Sequence, residues 1–247
     1  KTIKNISSII KSSIDYKYLV KGLKKKKMNT LAKRVAVSPD YSDIKLGVAL
    51  DNAFGFYYAD DIDKIKSLGV KICYFNTIKN KKLPKVDALL IGGGFPELFA
   101  SKLNFNKNMM ESIKDFVEAN KPVYAECGGL MYLAKSIKYN NKTIKMVGAI
   151  DGKVVMNSKP VGRGYVELAQ HLRHPWPMES DIIRAHEFHY SNITLNKKIN
   201  SFAYKVKRGY GINGKYDGVL YKNLLATYSH LRDTNQSMWI KNYLQFV

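Results

Sequence analysis

Apolar residues in this chain follow two rhythms. Between Ile44 and Tyr139, short apolar runs alternate with segments whose apolar positions recur every three or four residues. The short runs read as buried strands and the periodic segments as amphipathic helices. Lys45 to Leu50, Val70 to Phe75, Val86 to Ile91 and Val123 to Ala125 are predicted strands. Asp60 to Leu68, closed by Gly69, and Ser112 to Ala119, stopped at Asn120-Lys121-Pro122, are predicted helices. Asp51 to Tyr58 reads as a loop and a helix start. This alternation predicts a mostly parallel, doubly wound α/β sheet.

After Tyr139 the rhythm changes to that of hairpins. Thr143 to Val155 and Gly164 to Leu168 read as strands, with Asp151-Gly152 and Gly162-Arg163-Gly164 as joins. Asp181 to Tyr190, Phe202 to Gly209, Gly218 to Tyr221 and Leu225 to Tyr228 are further strands, with a loop at His174-Pro175-Trp176-Pro177. Gln236 to Val247 reads as a terminal helix. Ahead of Ile44, Ile3, Ile6, Ile9 and Ile10 recur at helical spacing, followed by Ile14, Tyr18 and Leu19. Lys24 to Lys27 reads as a solvated linker, and Val35 to Val37 as a short run ending at the turn Ser38-Pro39-Asp40. The domain boundary is placed near Asp43.

The composition, 45% hydrophobic and 12% aromatic, is that of a folded chain. No run of about 18 apolar residues occurs, so no membrane span is expected. Two cysteines make no disulfide framework, and the expected setting is reducing and cytoplasmic. The formal net charge of +21 raises the question of a polyanionic partner. The lysines are spread along the chain, and no nucleic-acid-binding motif accompanies them. Nucleic acid is therefore not an expected partner.

One stretch carries candidate chemistry. In Pro122-Val123-Tyr124-Ala125-Glu126-Cys127-Gly128-Gly129-Leu130-Met131, an apolar strand ends at a thiol followed by two glycines and a helix-like segment that includes Leu133 and Ala134. A strand, sharp turn and helix hold a nucleophile at the carboxyl edge of a sheet, where a helix N-terminus favours a thiolate. A lone cysteine is more often a small buried hydrophobe, and Cys73, inside a strand-like run, is read that way. Cys127 is the candidate nucleophile, and the Gly128 amide is placed to bind an oxyanion. Gly92-Gly93-Gly94, directly after the third strand, adds backbone donors at the same edge. It lacks the lysine of a phosphate loop.

A base is needed to activate the thiol. His230 follows an apolar strand, as an imidazole presented at that edge should. His186 and His189 have odd spacing on one strand and point to opposite faces, which argues against convergence on a metal. No metal site is expected, and His171 and His174 are assigned no chemistry.

Four segments together resemble the glutamine amidotransferase domain of the cobyrinic acid a,c-diamide synthase family. They are Gly92 to Glu97, Ala125 to Leu133, Arg184 to Ser191 and Ala226 to Leu231, and Asp51 to Tyr58 resembles the opening of that domain. The resemblance covers about residues 44–247. It implies a class I glutamine amidotransferase-like, flavodoxin-like three-layer α/β fold, with a mostly parallel central sheet and a hairpin-rich second half. It also implies that Cys127 attacks the amide of glutamine, that His230 activates it, and that Gly93, Gly94 and Gly128 form the oxyanion site.

In that family the domain is fused to an ATP-dependent ligase that amidates tetrapyrrole acetate groups, and close relatives act on sirohydrochlorin-type tetrapyrroles. Residues 1–43 are then expected to be a helix and linker left from an upstream ATP-binding ligase domain. ATP and Mg2+ would belong to that domain, with no cofactor in this chain. The implied partners are glutamine, the ligase domain or subunit and, through it, the tetrapyrrole; a homodimer is left open. Two positions depart from the family pattern. Arg232 stands where many class I glutaminases carry an acid two residues after the histidine, so Glu187 or a backbone carbonyl is considered for orienting His230, with His189 as further support. Ala185 replaces the usual glycine before His186. The rival readings are an idle binding partner of a ligase and a cysteine-elbow enzyme serving another reaction.

Overall fold

The structure is a computed structural model describing residues 2–25, 40–178, 180–196 and 201–247. The run at 35–37 and the lysines at 26 and 27 lie outside the described residues. The chain divides into two compact units, Lys1–Ser38 and Pro39–Val247. In the first, α1 (Thr2–Ser13) and α2 (Tyr16–Lys25) follow the expected helical spacing. Asp15 caps α2 by accepting from the Tyr18 N–H at 3.0 Å. None of the residues of α1 is buried, and Ile3, Ile6, Ile9 and Ile10 remain exposed.

The second unit begins with β1 (Lys45–Ala49), β2 (Phe54–Phe56), α3 (Ala59–Ser67), β3 (Lys71–Phe75), β4 (Ala88–Ile91) and β5 (Gly93–Gly94). There follow α4 (Ala100–Phe105), α5 (Lys107–Glu118), β6 (Val123–Glu126), α6 (Gly128–Leu133), β7 (Ala134–Tyr139), β8 (Lys142–Lys145) and β9 (Ile150–Met156). The last elements are β10 (Gly162–Gln170), β11 (Ile183–His189), β12 (Ser191–Leu195), β13 (Phe202–Arg208), β14 (Tyr216–Tyr221), β15 (Leu224–Thr227) and α7 (Trp239–Phe246).

A nine-stranded sheet runs β11-β10-β13-β14-β15-β6-β4-β1-β3. The five strands from β15 to β3 are parallel, and the hairpin-rich second half extends the sheet with antiparallel strands. Alternation along the strands builds two cores. One face carries Leu89, Ile91, Val123, Ala125, Leu224 and Ala226 against Met109, Ile113 and Val117 of α5 and Leu130 and Leu133 of α6. The other carries Leu46, Val48, Leu90, Tyr124 and Leu225 against Ile65 of α3 and Ile240, Tyr243 and Leu244 of α7. Helices on both faces of the sheet give the three-layer α/β architecture.

Some local expectations change. The segment from Leu130 to Ala134 is helical only to Leu133. At Ala134 the chain enters β7, part of a four-stranded sheet ordered β12-β9-β7-β8. The join expected at Asp151-Gly152 lies inside β9, where a Cβ on Gly152 would sit 2.8 Å from the Ile193 side chain. That glycine serves packing rather than a turn. Phe54–Phe56, read as a loop, pairs antiparallel with Gly93–Gly94. Cys73 is half-buried on the edge strand β3 and packs against the core. Among the described residues no helix is long and apolar enough to cross a membrane.

Parallel register decides what meets at the sheet edge. β15 lies beside β6 with Thr227 opposite Glu126, although a hundred positions separate them. Helix α7 locks the base of the neighbouring β4–β6 pair, because the Tyr243 hydroxyl is shared between Leu89 O at 2.8 Å and Pro122 O at 3.1 Å. Tyr243→Phe should leave both buried carbonyls without that donor and lower the unfolding free energy by about 1–3 kcal/mol. Urea denaturation reads this, and an unshifted midpoint would show that the strand base does not depend on the hydroxyl.

Candidate active site

All four residues of β6 are buried, and the strand ends at Cys127 with φ 47° and ψ −100°. For a residue with a side chain this conformation costs on the order of 1–3 kcal/mol. Three backbone hydrogen bonds hold it. Cys127 N–H donates to Thr227 O at 2.7 Å, Gly129 N–H to Gly92 O at 3.1 Å, and Met131 N–H to Cys127 O at 3.1 Å. The left-handed residue of the elbow is therefore the cysteine. Gly128 and Gly129 are needed for close approach: a Cβ on Gly129 would lie 2.1 Å from Ile91 O, and one on Gly128 would lie 2.9 Å from Gly94 N.

The glycine loop after β4 is fixed from its other side by Asp51 to Tyr58. Asp51 accepts from Ala53 N–H at 2.8 Å, and its second oxygen accepts from the N–H and hydroxyl of Thr77. Ala53 O in turn accepts from Phe95 N–H at 3.0 Å. The Tyr57 hydroxyl donates to Ala49 O and accepts from Gly92 N–H. Gly94 lines the clefts around Cys127. Gly93 lies against the His230 ring, where a Cβ would stand 2.5 Å from Cε1.

His230 arrives at the end of β15. Its backbone pairs with His186 in both directions, at 2.8 and 3.3 Å. The buried Asp217 carboxylate accepts from the N–H groups of Tyr228 and Ser229 and from the Ser229 hydroxyl, which fixes the turn just before the histidine. The His230 ring shares the larger cleft with Cys127, and its Nδ1 lies 3.4 Å from Glu126 Oε2. Glu126 Oε1 accepts from Tyr124 Oη–H at 2.6 Å and from Leu231 N–H at 2.8 Å. Burial opposes a charge on His230, but the neighbouring Cys127 and Glu126 outweigh it and push its pKa up to about 10.

A second imidazole completes the wall. His186 stacks on His230 with centroids 4.8 Å apart and planes inclined by 15°. Burial and the charge on His230 hold its pKa below the ordinary value. Its Nδ1 is bonded to the Tyr58 hydroxyl at 2.8 Å. Arg232, at the position of the missing acid, pairs instead with Asp60 and lies over the Tyr58 ring.

The supporting roles considered for Glu187 and His189 do not hold. Glu187 accepts from Tyr210 N–H at 2.7 Å and Gly211 N–H at 2.8 Å, and lies 3.6 Å from His189 Nε2. His189 stacks on Tyr228 at 3.9 Å and borders the small cleft beside Cys127 without bonding the His230 ring. Period-two alternation buries both residues, while His186 and Phe188 face the larger cleft. Glu126 is the carboxylate on His230. A sign of it stood in the sequence: glutamate is rarely buried unpaired, and this one sits in a wholly buried strand. His171 packs on Tyr216 and His174 on Trp176 and Tyr204, away from the site. Among the described residues no group of three or more His, Cys, Asp or Glu side chains could hold a metal ion.

Residues 45–237 match the CobB/CobQ-like glutamine amidotransferase domain. The chain belongs to this family. It is 39% identical to the cobyrinate a,c-diamide synthase of Magnetococcus marinus, covering 79% of this chain and 42% of the relative. It is 38% identical to the enzyme of the same name from Picrophilus torridus, covering 93% and 49%. The chain thus spans less than half the length of either relative. Among solved structures it resembles PurLQS from Thermotoga maritima, with a TM-score of 0.59 at 16% identity over 82% of this chain and 96% of the other. A glutamine amidotransferase from the same organism gives 0.55 at 14% identity over 82% and 81%. These likenesses concern the fold. The mixed α/β sheet is that of the class I glutamine amidotransferases, and this chain is a glutamine amidotransferase domain.

The raised pKa of His230 makes stability depend on pH with a definite sign. An unfolded imidazole releases its proton near 6.5 and this one near 10, so its stabilisation is complete below about pH 6.5 and is lost as pH rises to about 10. The melting temperature of the wild type should exceed that of His230→Gln most at pH 6, and the gap should narrow by pH 9. A gap independent of pH would show that the folded ring is uncharged.

Proposed function

We propose that this domain releases ammonia from glutamine at Cys127, for an ATP-dependent ligase that amidates tetrapyrrole acetate side chains in the manner of a cobyrinate a,c-diamide synthase. The observation that carries the reading is the alignment of Cys127, His230 and Glu126 at one sheet edge, beside the backbone of Gly94 and Gly128. In this reading the Cys127 sulfur attacks the amide carbon of glutamine, and the amides of Gly94 and Gly128 hold the oxyanion. As the first residue of α6, Gly128 has an N–H with no carbonyl four residues back to bond. The proton on His230 passes to the departing nitrogen and ammonia leaves a thioester. Water, deprotonated by His230, then cleaves the thioester to glutamate and restores the thiol. Glu126 orients the ring and favours its protonated form, which donates in the first step and is regenerated when water is deprotonated in the second.

A ligase partner, ATP and Mg2+ lie outside this chemistry. Residues 1–43 fit as the end of the ligase domain. The Picrophilus match, at 93% of the chain, is longer than 44–247 alone and so runs into that segment. The two cysteines are free, which fits a reducing, cytoplasmic setting.

Cys127→Ala should abolish glutamine hydrolysis and labelling by a chloroketone analogue of glutamine. Unchanged turnover would leave the domain as a scaffold. His230→Ala should lower turnover by about 10²–10⁴-fold. His189→Ala, which empties a stacked core position, should lower the melting temperature more than the turnover; equal losses of turnover would place the base elsewhere. With an ATP-binding ligase domain added, mass spectrometry of cobyrinate and of a sirohydrochlorin-type acceptor decides which carboxylate is amidated.

A further inference from the structure

Cys127 stands between two clefts. The larger, of about 310 Å³, is bounded by Tyr58, Glu126, His186 and His230. The smaller, of about 40 Å³, is bounded by Glu97, Met131, Met156, the buried His189 and Tyr190. Gly94, Phe95, Cys127 and Phe188 border both. Each cleft has one carboxylate in its wall, and the two differ in what they already hold. Glu126 is committed to Tyr124, Leu231 and His230. Glu97 is half-buried and meets its own backbone amide, with no cation beside it among the described residues.

We propose that Glu97 binds the α-ammonium group of the amino acid whose side-chain amide Cys127 attacks. The inference rests on the glutaminase reading and adds how the domain selects an α-amino acid among amides. In glutamine the ammonium nitrogen is four bonds from the amide carbon, a reach of ~5 Å. A group held by Cys127 can therefore extend its ammonium into the adjoining small cleft. That cleft has room for about one water-sized group, which suits an ammonium and excludes a bulky substituent.

The loop geometry supports the assignment. Glu97 lies three residues beyond Gly94 in a turn closed by Leu98 N–H to Phe95 O and Phe99 N–H to Pro96 O, both 3.1 Å. One short, pinned segment thus offers a backbone donor to the reacting end of the substrate and a carboxylate to its amino end. Burial without a partner raises the pKa of Glu97, a cost that an incoming cation would offset.

The test compares the full chain and its Glu97→Gln variant on L-glutamine and on glutaramate, the same side-chain amide without the α-ammonium. A lost charge-assisted hydrogen bond should raise the KM for glutamine roughly ten- to hundredfold. The preference for glutamine over glutaramate should fall by the same factor. Alkylation of Cys127 by iodoacetamide, which carries no ammonium, is the control for an intact elbow. An unchanged preference, with the wild type still labelled by the chloroketone, would overturn this inference alone. A wild-type chain that neither hydrolyses glutamine nor takes the chloroketone would overturn the glutaminase reading and this inference with it.

Discussion

The turn at Cys127 is held against its own strain by the two strands that flank it. A cysteine at positive φ does not persist in an isolated hairpin. Here the carbonyl of Thr227 on β15 takes the cysteine N–H, and the carbonyl of Gly92 beyond β4 takes that of Gly129. Each bond contributes about 0.5–1.5 kcal/mol, so together they match the conformational cost. The elbow thus exists only where three parallel strands end in register. The same bonds bring the end of β15, which carries the histidine, and the glycine loop, which carries backbone donors, to the thiol. Geometry of the turn and assembly of the site are one constraint.

Electrostatics follow from that placement. Two imidazoles stacked 4.8 Å apart do not both carry protons easily. Glu126 breaks the symmetry by lying on Nδ1 of His230, and the Tyr58 hydroxyl satisfies Nδ1 of His186. The charge is favoured on the His230 ring and disfavoured on the His186 ring. Asp217 contributes at one remove, because its carboxylate gathers the backbone of Tyr228 and Ser229 and so sets where His230 can stand. Glu187 does comparable work on the opposite face, where it gathers the amides of Tyr210 and Gly211. Two buried acids near the site therefore fix backbone, and a third, Glu126, addresses the chemistry.

The parallel strands of the core were legible because they are wholly apolar: Ala88–Ile91 has no polar residue to confuse its period. So was the elbow, a thiol and two glycines at the end of such a strand. Less visible was the pairing of Phe54–Phe56 with Gly93–Gly94, since two glycines carry no hydrophobic signal. The passage from α6 into β7 at Ala134 was hidden for the opposite reason: Leu130 to Ala134 is apolar throughout, and burial alone does not distinguish a helix from a strand.

By itself, the sequence determined which segments are buried strands, that Cys127 ends one of them and that His230 ends another. These are local facts, written in periodicity and in turn residues. Which carboxylate orients the histidine was a tertiary decision. Glu187 directly follows His186, whose ring stacks on His230, yet strand alternation turns it into the core; Glu126 is 105 residues from Leu231, yet sheet order puts them in hydrogen-bond contact. Chain distance carries no information about strand order, and only the parallel pairing of β15 with β6 brings that acid to that base.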